Sequence, residues 1–369
     1  MKGNSISAAF TALWRGLDYD ANSADIAVEL LSNDQLVVMQ RARFAPALQA
    51  LVKARGHAVD VALMKILNVG EIDETTEALE KTSWESDAFF RGLLGGEKHD
   101  DQGDWEQRWK YIHSQRQQQK NADSTINEST MKEMSFKGYS TNDQNESYGK
   151  VDLPIVISLG SGFDVRCQHS FFKDKCNWLK LDRECVQEKC KYYCFQKFKC
   201  TCCKYAVGDA SGQMTFKNIK AAITEYVTRI VEKDNLCRIK LIWMAEGLFE
   251  YLKPKQQRAT ISHISSVTIA LLQHFNRIAS DLSSENKNLQ GKISGYLLAP
   301  LLSKSIDRPM RETYGASFGW KFSAVQTLRD RLKSDGWARV CSEHQDTFTW
   351  GTLLNYEICR ELQNSENNF

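Results

Sequence analysis

The sequence lacks a dominant sign of charge: 48 lysines and arginines stand against 46 aspartates and glutamates, a formal net charge of +2. No long-range field is available to gather nucleic acid or an anionic membrane surface, so a small-molecule or protein substrate is expected, with no nucleic acid and no membrane partner. Long apolar runs are also missing. The longest, such as Leu153–Leu159 and Lys240–Phe249, fall well short of the roughly 20 residues a bilayer-spanning helix needs. The opening MKGNSISAAF has no apolar h-region and does not read as a secretory signal, which makes the expected location cytoplasmic. Leucine and valine vanish between His113 and Lys150, where one isoleucine remains among many Gln, Asn, Ser, Thr and Lys. That stretch cannot bury enough apolar surface to offset its ordering entropy and reads as a polar, mobile insert.

What is present suffices for a large core, with 42% hydrophobic and 10% aromatic residues in a 369-residue chain. The eleven cysteines are unevenly spread: Cys176, Cys185, Cys190, Cys194, Cys200, Cys202 and Cys203 share one short stretch. Structural zinc favours short paired spacings that this run lacks, and Cys190 with Cys194 makes half a site at most. The expectation is therefore no metal, with reduced cysteines packed as small hydrophobes.

Three regions follow from the patterning. Residues 1–97 carry helical periodicity, for example Leu48, Leu51, Val52, Val59, Leu63, Ile66 and Leu67, and read as a helical N-terminal lid. Residues 98–150 form the polar insert. From 151 to 369 short apolar runs alternate with helical patterns, the sign of a doubly wound α/β fold. Candidate strands are Ile155–Leu159, Trp178–Leu181, Lys204–Val207, Lys240–Met244 and Arg277–Ser280, then Trp337–Ser342 and Thr352–Cys359. Helices fit over Arg183–Lys197, Phe216–Glu232, Pro254–Leu272 and Ser323–Lys333, the last ended by Gly336.

The strongest chemical signal is Ile155-Val156-Ile157-Ser158-Leu159-Gly160-Ser161-Gly162-Phe163-Asp164, a buried strand entering a glycine turn. Without Cβ atoms at 160 and 162 a ligand can approach the backbone beyond the carboxyl end of the strand. Acidic residues close the next three strands. Asp182 is placed to accept hydrogen bonds from ribose hydroxyls, Asp209 to meet an adenine amino group, and Glu246 stands in Trp243-Met244-Ala245-Glu246-Gly247-Leu248-Phe249-Glu250-Tyr251-Leu252. A nicotinamide-dependent oxidoreductase shares the turn and the acidic second strand. It calls for a third glycine opening a helix, and positions 165 and 166 are Val and Arg.

The segment Leu159 to Arg166 resembles the first motif of the leucine carboxyl methyltransferase family, which includes polyketide O-methyltransferase relatives, and Trp243 to Leu252 is similar to its AEGL..YL segment. The resemblance covers roughly residues 150 to 360. It implies a Rossmann-like class I methyltransferase sheet, mostly parallel with an antiparallel last strand, and methyl transfer to oxygen from S-adenosyl-L-methionine, often to a carboxylate. It places Gly160, Ser161, Gly162, Asp164, Asp182, Asp209 and Glu246 at the cofactor, with Tyr251 in the acceptor pocket. An arginine from the helical segment before the first strand should hold the cofactor carboxylate, with Arg91, Arg108 and Arg116 as candidates. Val165 and Lys180 depart from the family's usual Thr or Ser and Glu. An exposed lysine at 180 can turn to solvent at little cost, so activity is expected over a non-catalytic scaffold role. A carboxylate acceptor, whether a protein C-terminus or a small acid, needs no base. A hydroxyl acceptor wants one, and no motif singles out His169, His263, His274 or His344.

Overall fold

The computed structural model describes residues 11–12, 45–68, 152–168, 172, 175–184, 186–187, 203–231, 238–285, 292–302, 324–340, 347–348 and 351–360. The polar insert, Arg91, Arg108 and Arg116, Ser323, His169 and His344 lie outside them. So do Cys185, Cys190, Cys194, Cys200 and Cys202, and most of the candidate helix Arg183–Lys197. Met1–Thr76 and Lys137–Phe369 fall in one compact unit, Glu77–Phe136 in another.

Eight strands form one sheet: β1 Asp152–Leu159, β2 Asn177–Asp182, β3 Cys203–Val207, β4 Arg238–Met244, β5 Lys292–Leu302, β6 Ala338–Arg339, β7 Thr347–Phe348 and β8 Gly351–Arg360. Their order is β3-β2-β1-β4-β5-β8-β6, with β7 pairing β8. Strands β1 to β5 are parallel neighbours and β8 enters antiparallel between β5 and β6. This is the expected Rossmann-like sheet with a reversed strand at its far end. The order reverses direction at β1 and β4, so the crevice beyond their carboxyl ends is the natural ligand site.

Both faces of the central strands are covered, which is why they read as unbroken apolar runs. On one side Ile155, Ile157, Leu159, Leu241 and Trp243 join a core completed by α2 Gln213–Val231, α3 Pro254–Glu285 and α4 Ala324–Ser334. The opposite side buries Val156, Trp178, Ile242 and Met244. The helix α1, Ala45–Leu67, packs against β5 and β8 and buries Leu51, Val52, Val59, Leu63 and Ile66, in line with its sequence periodicity. Among the described residues, no helix is long and apolar enough to cross a membrane, and no group of His, Cys, Asp and Glu could hold a metal ion.

The run Arg277–Ser280, expected as a strand, lies inside α3. The helical spacing Ile264, Val267, Leu271, Phe275 and Ile278 continues through it, so period 3.6 prevails. The fifth strand is Lys292–Leu302, whose Gly295 and Pro300 disguise it as a loop. Gly295 sits under the Thr268 methyl of α3. Pro300 falls beyond Leu298, the last residue paired with β4, so its missing N–H breaks no bond to that neighbour. The C-terminus of α4 closes as the sequence suggested: Gly336 has φ +87° and Trp337 N donates to Leu332 O at 3.0 Å.

Candidate active site

The turn after β1 is built to sit close under whatever occupies the crevice. Gly160 and Gly162 have φ of +62° and +53°, a left-handed backbone that costs a side-chain-bearing residue about 1–2 kcal/mol. At Gly160 a Cβ would also come within 3.0 Å of Leu248 Cδ1. Two bonds tie this turn to the end of β2: Ser161 N donates to Leu181 O at 3.1 Å, and Gly162 N to Asp182 Oδ2 at 2.7 Å. The other oxygen of Asp182 accepts from Arg183 N at 2.7 Å. Burial raises the proton affinity of Asp182, and these two N–H groups and the Arg183 charge pull it back. Ser161 Oγ is buried with no hydrogen-bond partner among the described residues.

The end of β3 joins the same edge, because Gly208 N donates to Asp182 O at 3.1 Å. Asp209 is exposed, and its Oδ1 accepts from Ser211 N and Ser211 Oγ, both at 2.8 Å, turning the chain into α2. Only its second oxygen is left to meet a ligand from this edge.

Glu246, expected at the cofactor, is held in a cluster of ion pairs. Its side chain is 3% exposed and ion-paired to Arg55 Nε of α1 at 3.2 Å and to Arg166 Nη2 at 2.7 Å. Arg166 also pairs with Asp164 Oδ2 at 3.0 Å and with Asp60 of α1, and donates to Gly56 O at 3.4 Å. Asp164 Oδ1 accepts Arg166 N at 2.9 Å. Two cations and three carboxylates thus interlock at the carboxyl end of β4, coupling α1 to the turn after β1. The Arg55 guanidinium lies over Gly247, where a Cβ would be 3.3 Å from both terminal nitrogens, and Gly247 has φ +69°. Glu246 and Asp164 therefore hold arginines in place.

Arg55 was not among the arginines singled out from the sequence, and those candidates, Arg91, Arg108 and Arg116, lie outside the described residues. Arg55 and Asp60 are five residues apart on α1, about 140° around the helix, and meet Glu246 and Arg166 from two flanks of it. Lys180 is a correction. Its side chain is fully buried rather than turned to solvent, with Nζ bonded to Asp164 O and 3.2 Å from Cys167 Sγ. It therefore props the turn after β1 from beneath, on the sheet face away from α3.

The last element is the 3-10 turn Phe249–Tyr251 that carries Tyr251. Its geometry is fixed by Tyr251 N donating to Leu248 O at 3.0 Å, Leu252 N to Phe249 O at 3.2 Å, and the Gln257 amide to Phe249 O and Leu252 O. The two described histidines considered as bases lie in the helical layer: the His263 ring is 5.2 Å from Phe216, and His274 is 5.4 Å from Phe275.

No protein-family model matches the sequence, and no curated protein matches it. Among solved structures the chain is similar to the O-methyltransferase NcsB1 from neocarzinostatin biosynthesis in complex with S-adenosylmethionine and 2-hydroxy-5-methyl naphthoic acid, with TM-score 0.33 and 9% identity over 55% of this chain and 48% of that one. An O-methyltransferase family protein from Burkholderia thailandensis gives TM-score 0.36 and 10% identity over 55% and 50%. Human N-acetylserotonin methyltransferase in complex with S-adenosylmethionine gives 0.31 and 10% over 56% and 47%. The chain spans about half the length of the solved structures it matches, and likeness at this level carries no function over to it.

Proposed function

We propose that the chain is an S-adenosylmethionine-dependent O-methyltransferase related to the leucine carboxyl methyltransferase family. The observation that carries the reading is the joint between the glycine turn and β2, where Gly162 N is held by Asp182 Oδ2 at 2.7 Å beside the orphaned, buried Ser161 Oγ. Such a cradle, with a carboxylate at the end of the second strand, fits a nucleoside ligand. The backbone of Gly160 to Gly162 would face the ligand and Asp182 would receive the ribose hydroxyls. Asp209 Oδ2 would take the adenine amino group. Arg55 would hold the amino-acid carboxylate, oriented by Glu246 and Arg166.

The cofactor supplies an electrophilic methyl group on a sulfonium. The chain's own work is then alignment and exclusion of water, and Tyr251 is assigned to the acceptor wall. A dinucleotide is disfavoured by the local backbone. The turn after β1 leads into the short 3-10 segment Arg166–Gln168, so among the described residues no α-helix N-terminus directly follows it to receive a pyrophosphate. The motif resemblance favours a carboxylate acceptor, small or at a protein C-terminus, and the surroundings of Glu250 favour a hydroxyl.

Titration calorimetry with S-adenosylmethionine and S-adenosylhomocysteine tests the reading: both should bind at one site per chain. A folded protein that binds neither would refute it, and binding without transfer to any acceptor would favour a scaffold role.

A further inference from the structure

Four residues beyond Glu246, on the same loop, lies a second buried carboxyl. Glu250 is 1% exposed, and neither of its oxygens has a hydrogen-bond partner among the described residues. The groups that face it are the Arg55 guanidinium from α1, the Glu246 carboxylate, and the backbone N–H groups of Glu250 itself and of Leu302 at the end of β5. It therefore stands beyond the carboxyl ends of β4 and β5, on the crevice side of the sheet. The backbone of the 3-10 turn that bears it is braced by the Gln257 amide on Phe249 O and Leu252 O.

The two glutamates are treated differently. Glu246 is clamped by two guanidiniums. Glu250 is pushed up to about 7, chiefly by burial, with Arg55 opposing the rise and Glu246 adding to it. A buried carboxyl without an ion pair of its own is costly, and most proteins satisfy or remove such a group. Of two neighbouring buried carboxyls, the one paired with arginines suits a fixed charge and the one without an arginine pair suits a proton carrier. His263 and His274 sit on α3 against Phe216 and Phe275, whereas His57 lies on α1 next to Gly56 and about 60° around the helix from Asp60.

We propose that Glu250 takes the proton of the methyl acceptor, and that the acceptor is therefore a hydroxyl compound such as a phenol or enol rather than a carboxylic acid. This rests on the methyltransferase reading above. The acceptor hydroxyl gives its proton to a Glu250 oxygen as its own oxygen bonds to the methyl carbon, and sulfur keeps the electron pair of the bond that breaks. Glu250 ends protonated and returns the proton to solvent when the product leaves. A carboxylic acid is already ionised near neutral pH and would leave Glu250 without a task.

The test uses the full chain, Glu250→Gln and Glu250→Asp. All three should bind S-adenosylhomocysteine alike by calorimetry, and if the native chain does not bind it, the cofactor reading fails instead. With methyl-labelled cofactor and a panel of one- to three-ring phenols and matching aryl carboxylic acids, the native chain should label phenols in base-stable form. Its rate should rise with pH through about 7. Glu250→Gln should lose about 100-fold or more of that rate together with the pH limb, and Glu250→Asp should keep the limb at reduced rate. Infrared difference spectra of the cofactor-product complex give a readout independent of turnover. A protonated-carboxyl band should disappear as pH rises through about 7 in the native chain and be absent from Glu250→Gln. Base-labile product, an unchanged pH profile in Glu250→Gln, no such band, or no phenol labelled by a protein that binds S-adenosylhomocysteine would each overturn the proposal.

Discussion

At the scale of single residues, Asp182 and Arg55 separate ligand recognition from folding in different proportions. Asp182→Asn keeps one oxygen, enough for Gly162 N or Arg183 N but not for both, so the turn should survive with one of its two side-chain bonds lost and a modest fall in melting temperature. Its weaker acceptors should still lower affinity for S-adenosylhomocysteine by about 1.5–3 kcal/mol, roughly 10- to 100-fold, by calorimetry. An unchanged affinity would remove Asp182 from the site. Arg55→Ala acts on both properties, because it strips one of the two arginines from a buried Glu246. Breaking a buried pair this way costs about 3–5 kcal/mol, so denaturant unfolding should show a loss of that order alongside lost cofactor binding. Arg55→Lys should restore part of the stability and little of the binding, since a lysine lacks the planar two-pronged donor.

At the scale of elements, the fit of α3 on β4 and β5 depends on one close approach. A Cβ at Gly295 would overlap the Thr268 methyl, while Thr268 Oγ1 accepts Trp243 Nε1 at 2.8 Å and donates to Ile264 O at 2.7 Å. Gly295→Ala should therefore destabilise the protein by about 1–3 kcal/mol through overpacking. Thr268→Ser removes the methyl and keeps the hydroxyl, so the double variant should recover most of that loss in a denaturant-melt cycle. Simple additivity would mean that the glycine is there for another reason. The same element shows why β5 was hidden from sequence reading: its glycine is explained only by a helix that crosses it. The α1 helix is the reverse case, with a legible apolar stripe whose polar residues Arg55 and Asp60 gain meaning only from partners more than 100 residues away.

For the whole molecule, the raised proton affinity of Glu250 links stability to pH with a definite sign. The folded chain holds this proton up to about pH 7, whereas an unfolded glutamate releases it near 4.5. The stabilisation is therefore complete below about 4.5 and lost as pH rises through 7, on the order of 3 kcal/mol at most. Glu250→Gln should be more stable than the native chain at pH 8, with the gap narrowing toward pH 5 in parallel thermal melts. A gap independent of pH would show that Glu250 does not titrate in this range. The sequence by itself determined the elements whose information is local: strands buried on both faces, the glycine turn at 160–162, the acids closing β2 and β3, and the Gly336 helix stop. These need only the periods of helix and strand and the conformations open to glycine. Only the tertiary structure decided which cation meets which carboxylate. It put Arg55 and Arg166 on Glu246, buried Lys180 under the Asp164 carbonyl, and buried Glu250 without an ion pair of its own. Charge pairing depends on distance and burial in three dimensions, and neither is encoded in the spacing of residues along the chain.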